Sequence, residues 1–145
     1  MKNYFLLGFI IILTFISCEK NPTLAIGDPY EGGVIVHLEG NGSGIIAAES
    51  SINTTSINWE SAKQACSSLI LNGYGDWRLP TKDELNHIFQ SRNDVPNLGS
   101  EGYWSSTEKD ADSAWLQYIN TSTGNGEQTV DLKVRTHFAR PVRSF

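Results

Sequence analysis

The segment Leu79-Pro80-Thr81-Lys82-Asp83-Glu84-Leu85 constrains the path of the chain more than any other. A threonine three residues ahead of a glutamate is a capping box: each side chain reaches the other's backbone N–H, and a helix starts there. Asp83 and Glu84 fall in its first turn, where the positive end of the helix dipole favours acids. Leu85, Ile88 and Phe89 then form a buried stripe. Leu79 precedes a proline and is held extended, so Trp77 and Leu79 can both point into a core while Asp76 and Arg78 share the other face and can pair. Catalysis would ask for a base beside a nucleophile, or paired carboxylates facing a cleft. The stretch Gly73–Leu85 offers neither and reads as a folding element.

The flanking sequence supplies the other elements. Upstream, Asn58 is a good N-cap, and Trp59, Ala62, Cys66 and Leu69 follow on one face of a helix that Gly73 is expected to end as a C′ glycine. Before it lies a polar loop, Ser50 to Asn58. Earlier still, "GGVIVHLEGNGSGIIAAE" reads as a β-hairpin turned by "EGNGSG"; with no Gly-Lys-Ser/Thr following, it is not a phosphate loop. Downstream of the "SRNDVPNLGSEG" loop come "YWSSTE", "SAWLQYIN", "QTVDLKV" and "THFARPVRSF", all strand-like. Apolar residues on both faces of Ala114 to Asn120 predict a central strand, and Pro141 predicts an edge or a bulge in the last one. Helices segregated from an antiparallel sheet make the fold class α+β.

The first residues stand apart from that domain. Lys2 is followed by an apolar run from Tyr4 to Ile16 and then Ser17-Cys18. The run is too short for an ordinary membrane span and reads as a secretory signal. Ser17-Cys18 resembles a lipobox, in which Cys18 becomes the lipid-bearing first residue, although Phe15 stands where leucine is usual. A plain cleaved signal or a retained membrane helix are the alternatives. The expected organisation is a signal over residues 1–17, a tether over 18–29 and one domain over 30–145. The net charge of −5 argues against general nucleic-acid binding, which needs basic surface to displace counterions. With Cys18 lipidated, Cys66 has no disulfide partner. No local signature of a nucleophile accompanies Cys66, and its place on an apolar helix face predicts a buried free thiol.

"YEGGVIVHLEGNGSGIIAA", "WESAKQAC", "GYGDWRLPTKDEL", "YWSSTE", "AWLQYI" and "ARPVRSF" together resemble the Lcl C-terminal domain family, a widespread bacterial family of domains related to the C-terminal domain of a collagen-like adhesin. The resemblance covers nearly all of the chain after the signal and tether. It implies a C-type-lectin-like fold: two helices, a central antiparallel sheet and chain ends close together. It also implies that Trp59, Asp76, Trp77, Arg78, Pro80, Trp104, Trp115, Arg140 and Pro141 are structural. The framework is akin to that of formylglycine-generating enzymes, which depend on a pair of active-site cysteines where this domain has Cys66 alone. The resulting expectation is a lipid-anchored, non-catalytic binding or adhesion module for glycan or protein, on the outer membrane or cell surface of a bacterium. A structural or accessory subunit of a surface complex is the alternative, and a divergent enzyme the more distant one.

Lectin-like folds bind through loops. Three loops carry oxygen-bearing side chains suited to Ca²⁺: Asn93, Asp94 and Asn97; Glu108, Asp110 and Asp112; and Asn120 with Asn125. The Glu-Pro-Asn and Trp-Asn-Asp patterns of calcium-dependent lectins are missing, so solvated acidic loops are the plainer reading. Lys133, Arg135, His137, Arg140 and Arg143 could meet a sulfated polysaccharide. The plainer reading is that they pair with the domain's own carboxylates.

Overall fold

The computed structural model describes residues 23–52 and 55–145. The signal, Cys18 and the first part of the tether lie outside the described residues. The elements are β1 (Pro29–Tyr30), β2 (Gly33–Leu38), β3 (Gly44–Ala47), α1 (Trp59–Ser67), α2 (Lys82–Gln90), β4 (Gly102–Glu108), β5 (Ser113–Ile119), β6 (Gly126–Leu132) and β7 (Val142–Ser144). The architecture is α+β. Instead of one sheet, the described strands form two antiparallel ones, ordered β1-β2-β3-β7 and β4-β5-β6. No helix among the described residues is long and apolar enough to cross a membrane.

The expected hairpin is β2–β3, with Leu38 opposite Gly44 and a register shift between Ile35 and His37. β7 lies on the far side of β3, so the two ends of the domain share one sheet. Gly27 and Asp28, which the sequence places in the tether, already join that sheet: Gly27 N–H donates to Ile35 at 2.9 Å, and Ile35 N–H to Asp28 at 3.0 Å.

Helix α1 begins as expected, the Asn58 side chain accepting from the Ser61 N–H at 2.9 Å. It ends at Ser67, six residues short of Gly73. The reason is the Asn72-Gly73 pair. Both residues have positive φ, 53° and 85°, and Leu71 and Tyr74 exchange backbone hydrogen bonds across them. Two central residues with positive φ make a hairpin-type turn of the kind Asn-Gly favours, and Leu69 leaves the helix to pack beside Trp77. The capping box of α2 forms in both directions, Glu84 N–H to Thr81 Oγ1 at 3.2 Å and Thr81 N–H to Glu84 Oε2 at 2.8 Å. Leu85 and Ile88 are buried, while Phe89 is half-buried.

Three apolar clusters result. Leu85 and Ile88 of α2 meet Val36, Tyr103 and Ile119. Trp59, Ala62 and Cys66 of α1 meet Leu79, Trp104 and Leu116. Trp77 packs with Ile46 and Ala48. β5 is the central strand of its sheet, although Tyr118 faces solvent. The last predicted strand is mostly irregular: His137 and Phe138 make single bridges to Ile57 and Tyr103, and only Val142–Ser144 forms a strand, directly after Pro141.

Candidate functional site

The loop that leaves β3 carries Ser50 and Ser51 between two cavities of about 290 Å³ each. One has an apolar floor of Ala48, Leu69 and Leu71 and a polar rim of Glu49 and Asn72. The other is bounded by Asn97, Glu101, Tyr103 and Phe138. An apolar floor with a few placed polar groups is the ordinary character of a ligand site. Two non-glycine residues with positive φ line these cavities, Asn72 (53°) and Asn97 (52°). Strained backbone of this kind persists where the surroundings over-determine it.

Arg140 holds the face together. Its side chain is fully buried. Nη1 donates to the Ala48 carbonyl at 2.9 Å and to Pro96 at 3.3 Å, and Nη2 donates to Asn97 at 2.7 Å. One guanidinium thus ties the start of the serine loop to the 96–97 turn. Burial lowers its pKa, and no carboxylate pairs with it among the described residues. Asn97 completes the tie, its Nδ2 reaching the Glu49 carbonyl at 3.3 Å and Ser50 Oγ at 3.4 Å.

The signature around Trp77 is built into the scaffold, with one correction. Asp76 and Arg78 do not pair with each other. Arg78 grips Glu84 through two bonds of 2.7 Å, and Asp76 accepts from Arg143 Nε at 2.8 Å. The capping glutamate is the better partner for Arg78 because the capping box already holds it in place, ready for a two-pronged guanidinium contact. Burial pushes the Glu84 carboxyl up, but the bond from Arg78 and the Thr81 amide outweigh it and hold it below its ordinary range. Arg143 also bonds Glu31 at 2.8 Å. Cys66 is fully buried, and desolvation pushes its thiol up to about 12. Arg78 lines an open cleft of about 440 Å³ beside α1, but Trp77 and Cys66 do not join it there. They sit in separate apolar clusters.

The three predicted loops do not converge. The turns either side of β5 lie at opposite ends of its sheet. The loop of Asn93, Asp94 and Asn97 shares one end with Asn120 and Asn125: Ser100 Oγ meets Thr121 Oγ1 at 2.9 Å, and the Arg92 guanidinium lies against Gly124. Asn120 Oδ1 caps its own turn, accepting from the Ser122 and Thr123 amides. Glu108, Asp110 and Asp112 are at the other end, around a lysine. Lys133 Nζ contacts Glu108 Oε2 at 2.6 Å and the carbonyls of Asp110 and Ala111 at 3.0 and 2.7 Å. Asp110 Oδ1 accepts from the Asp112 and Ser113 amides. No group of three or more His, Cys, Asp or Glu that could hold a metal ion exists among the described residues.

The basic run is engaged in the same way except at Arg135, which is exposed. Lys133 pairs with Glu108, His137 with Asp131 at 2.9 Å, and Arg143 with Asp76 and Glu31, while Arg140 is buried. Among the nine signature residues, both Trp59 and Trp115 carry cations on their rings: Lys63 Nζ and Lys133 Nζ lie 4.4 and 4.7 Å from the Trp59 centroid, and Lys82 Nζ lies 3.8 Å from that of Trp115. The serine loop was visible in the sequence only as a polar connection. Its cavities depend on Asn72 and Asn97, which reach it from distant parts of the chain.

The family model described as the Lcl C-terminal domain matches residues 39–143. No curated protein matches the chain.

Proposed function

On the premise that the chain belongs to the Lcl C-terminal domain family, which is associated with bacterial surface proteins, we propose that it is a non-catalytic binding or adhesion module for glycan or protein. The observation that carries the reading is the pair of cavities about Ser50 and Ser51, apolar below and polar at the rim, on a face fixed by Arg140. Sugars present such a mixture of apolar ring faces and hydroxyls, and so do peptide side chains. The buried thiol of Cys66 argues against a cysteine nucleophile, which needs exposure and a lowered pKa. We read the two helices and paired sheets as a C-type-lectin-like frame. Cys18 places the module on the envelope through a lipid, with the polar tether giving reach.

A glycan array probed with and without Ca²⁺ tests this reading. Binding to a restricted set of glycans supports it. A blank array, together with no binding to extracellular-matrix proteins, favours the accessory-subunit alternative instead. Replacing Cys18 by Ser should move the protein from the membrane to the soluble fraction.

A further inference from the structure

We propose that the outer edge of β6 is a self-association site, at which a second copy of this chain adds antiparallel to build one continuous six-stranded sheet. This rests on the backbone and is independent of the binding reading.

Sheet edges are hazards unless they are short, bulged, charged with lysine, broken by proline or covered. Among the described residues, three of the four sheet edges are closed in such ways. β1 has two residues, one of them Pro29. β7 has three, and Val142 exchanges two backbone hydrogen bonds of 2.9 Å with Arg78 on its outer side. β4 is irregular in register and bonded along its outer side, through Trp104 N–H to Phe138, Phe138 N–H to Gly102 and Ser106 N–H to Pro80. β6 is different. It runs for seven residues, GEQTVDL, in unbroken register with β5 and contains neither Lys nor Pro.

The ends of the β5–β6 ladder show which of its groups are free. Asn120 N–H bonds Asn125, and Lys133 N–H bonds Asp112. By the alternation of an antiparallel pair, Glu127, Thr129 and Asp131 turn their backbone groups to β5, whereas Gly126, Gln128, Val130 and Leu132 turn theirs outward. Leu132 is satisfied already: its N–H donates to Asp131 Oδ1 at 2.8 Å and its carbonyl accepts from Arg135 at 2.8 Å. The outward groups of Gly126, Gln128 and Val130 have no backbone partner among the described residues.

A two-fold axis at Gln128 satisfies all of them. Gln128 then pairs with Gln128 of the second copy, and Gly126 with Val130 of the second copy in both directions. Glu127 falls opposite Thr129, so no like charges meet. Centring the axis on Thr129 would oppose Glu127 to Asp131 of the second copy and draw the satisfied Leu132 into the ladder. Like charges directly opposite are destabilising, so charge selects the Gln128 register. A strand that is compatible with itself in one register favours the same chain as its occupant.

The experiment is disulfide trapping of the full chain in cells, with the parent chain and its Cys18 and Cys66 as background. A hydrogen-bonded antiparallel pair holds its Cα atoms about 5.5 Å apart, within disulfide reach, so Gln128→Cys should give a dimer band on a non-reducing gel. Asn125→Cys, about 20 Å from its counterpart across the axis at roughly 3.3 Å per residue, should not. In sedimentation equilibrium of the detergent-solubilised chain, Val130→Pro should weaken association at least tenfold. It should leave the circular dichroism unchanged, because the Val130 N–H points away from β5 and proline is tolerated at an edge. No cross-linking of Gln128→Cys above background, cross-linking to a different protein, or unaltered sedimentation of Val130→Pro would each overturn the proposal.

Discussion

Arg140 donates from Nη2 to the carbonyl of Asn97 at 2.7 Å, from a position with no exposed surface. The chain thereby joins the segment just ahead of its last strand to the loop that borders the candidate site, using a charge that no carboxylate balances among the described residues. Isosteric apolar replacement would leave the carbonyls of Ala48, Pro96 and Asn97 without their shared donor. Each unsatisfied buried group costs about 1–3 kcal/mol. The Ala48 carbonyl is the buried one of the three, so Arg140→Met should lower the stability by about 1–3 kcal/mol, read from urea unfolding. A loss below about 1 kcal/mol would show that the clamp is dispensable.

Glu84 makes stability depend on acid pH. Its folded pKa lies below the ordinary value, so its contribution is fully present above the unfolded value, roughly pH 4.3. It is lost as pH falls through the lower folded value. The Arg78 side chain is partly exposed, and solvent reduces the ion pair's share, so the cap and the pair together should amount to about 1–2 kcal/mol. Glu84→Gln should flatten the acid limb of the stability curve below about pH 5 and leave its shape at neutral pH unchanged. An identical acid limb in the variant would contradict the assignment.

Cys66 should be silent to thiol reagents in the folded protein at pH 8 and react fully in denaturant, because it has no exposed surface and burial raises its pKa to about 12. Mass spectrometry after labelling distinguishes the two. Rapid labelling of native Cys66 would reopen the case for a reactive cysteine.

Asn72 adopts the left-handed conformation at φ 53°. Asn72→Gly should keep the turn within a few tenths of a kcal/mol, while Asn72→Val should cost about 1–2 kcal/mol and loosen one wall of the candidate cavity. Thermal melts of the two variants provide the comparison. Equal melting temperatures would mean that the turn is not strained.

What the sequence made legible was local. The capping box at Thr81 and Glu84 and the β2–β3 hairpin turn are encoded within a few residues, and both stand in the structure. The burial of Trp77, Leu79 and Cys66 followed from alternation and helical spacing. The errors came where a residue had two competing uses. Gly73 is a plausible helix terminator by position, yet it serves an Asn-Gly turn, and the helix ends at Ser67. Arg78 was offered Asp76 two residues away but chose Glu84, which the capping box had already oriented. Of the candidate site, the sequence singled out Asn97 but not the cavities it borders. Ser51 meets Asn72 across one cavity and Asn97 across the other, and no local pattern encodes contacts of that range.

The central claim is that ligand engages the face around Ser50 and Ser51 while the rest of the signature serves the scaffold. Ser51→Trp, which places a bulky ring at a residue lining both cavities, tests it on the same glycan array as the parent protein. The account predicts that every glycan bound by the parent is lost at an unchanged melting temperature; undiminished binding by the variant would contradict it.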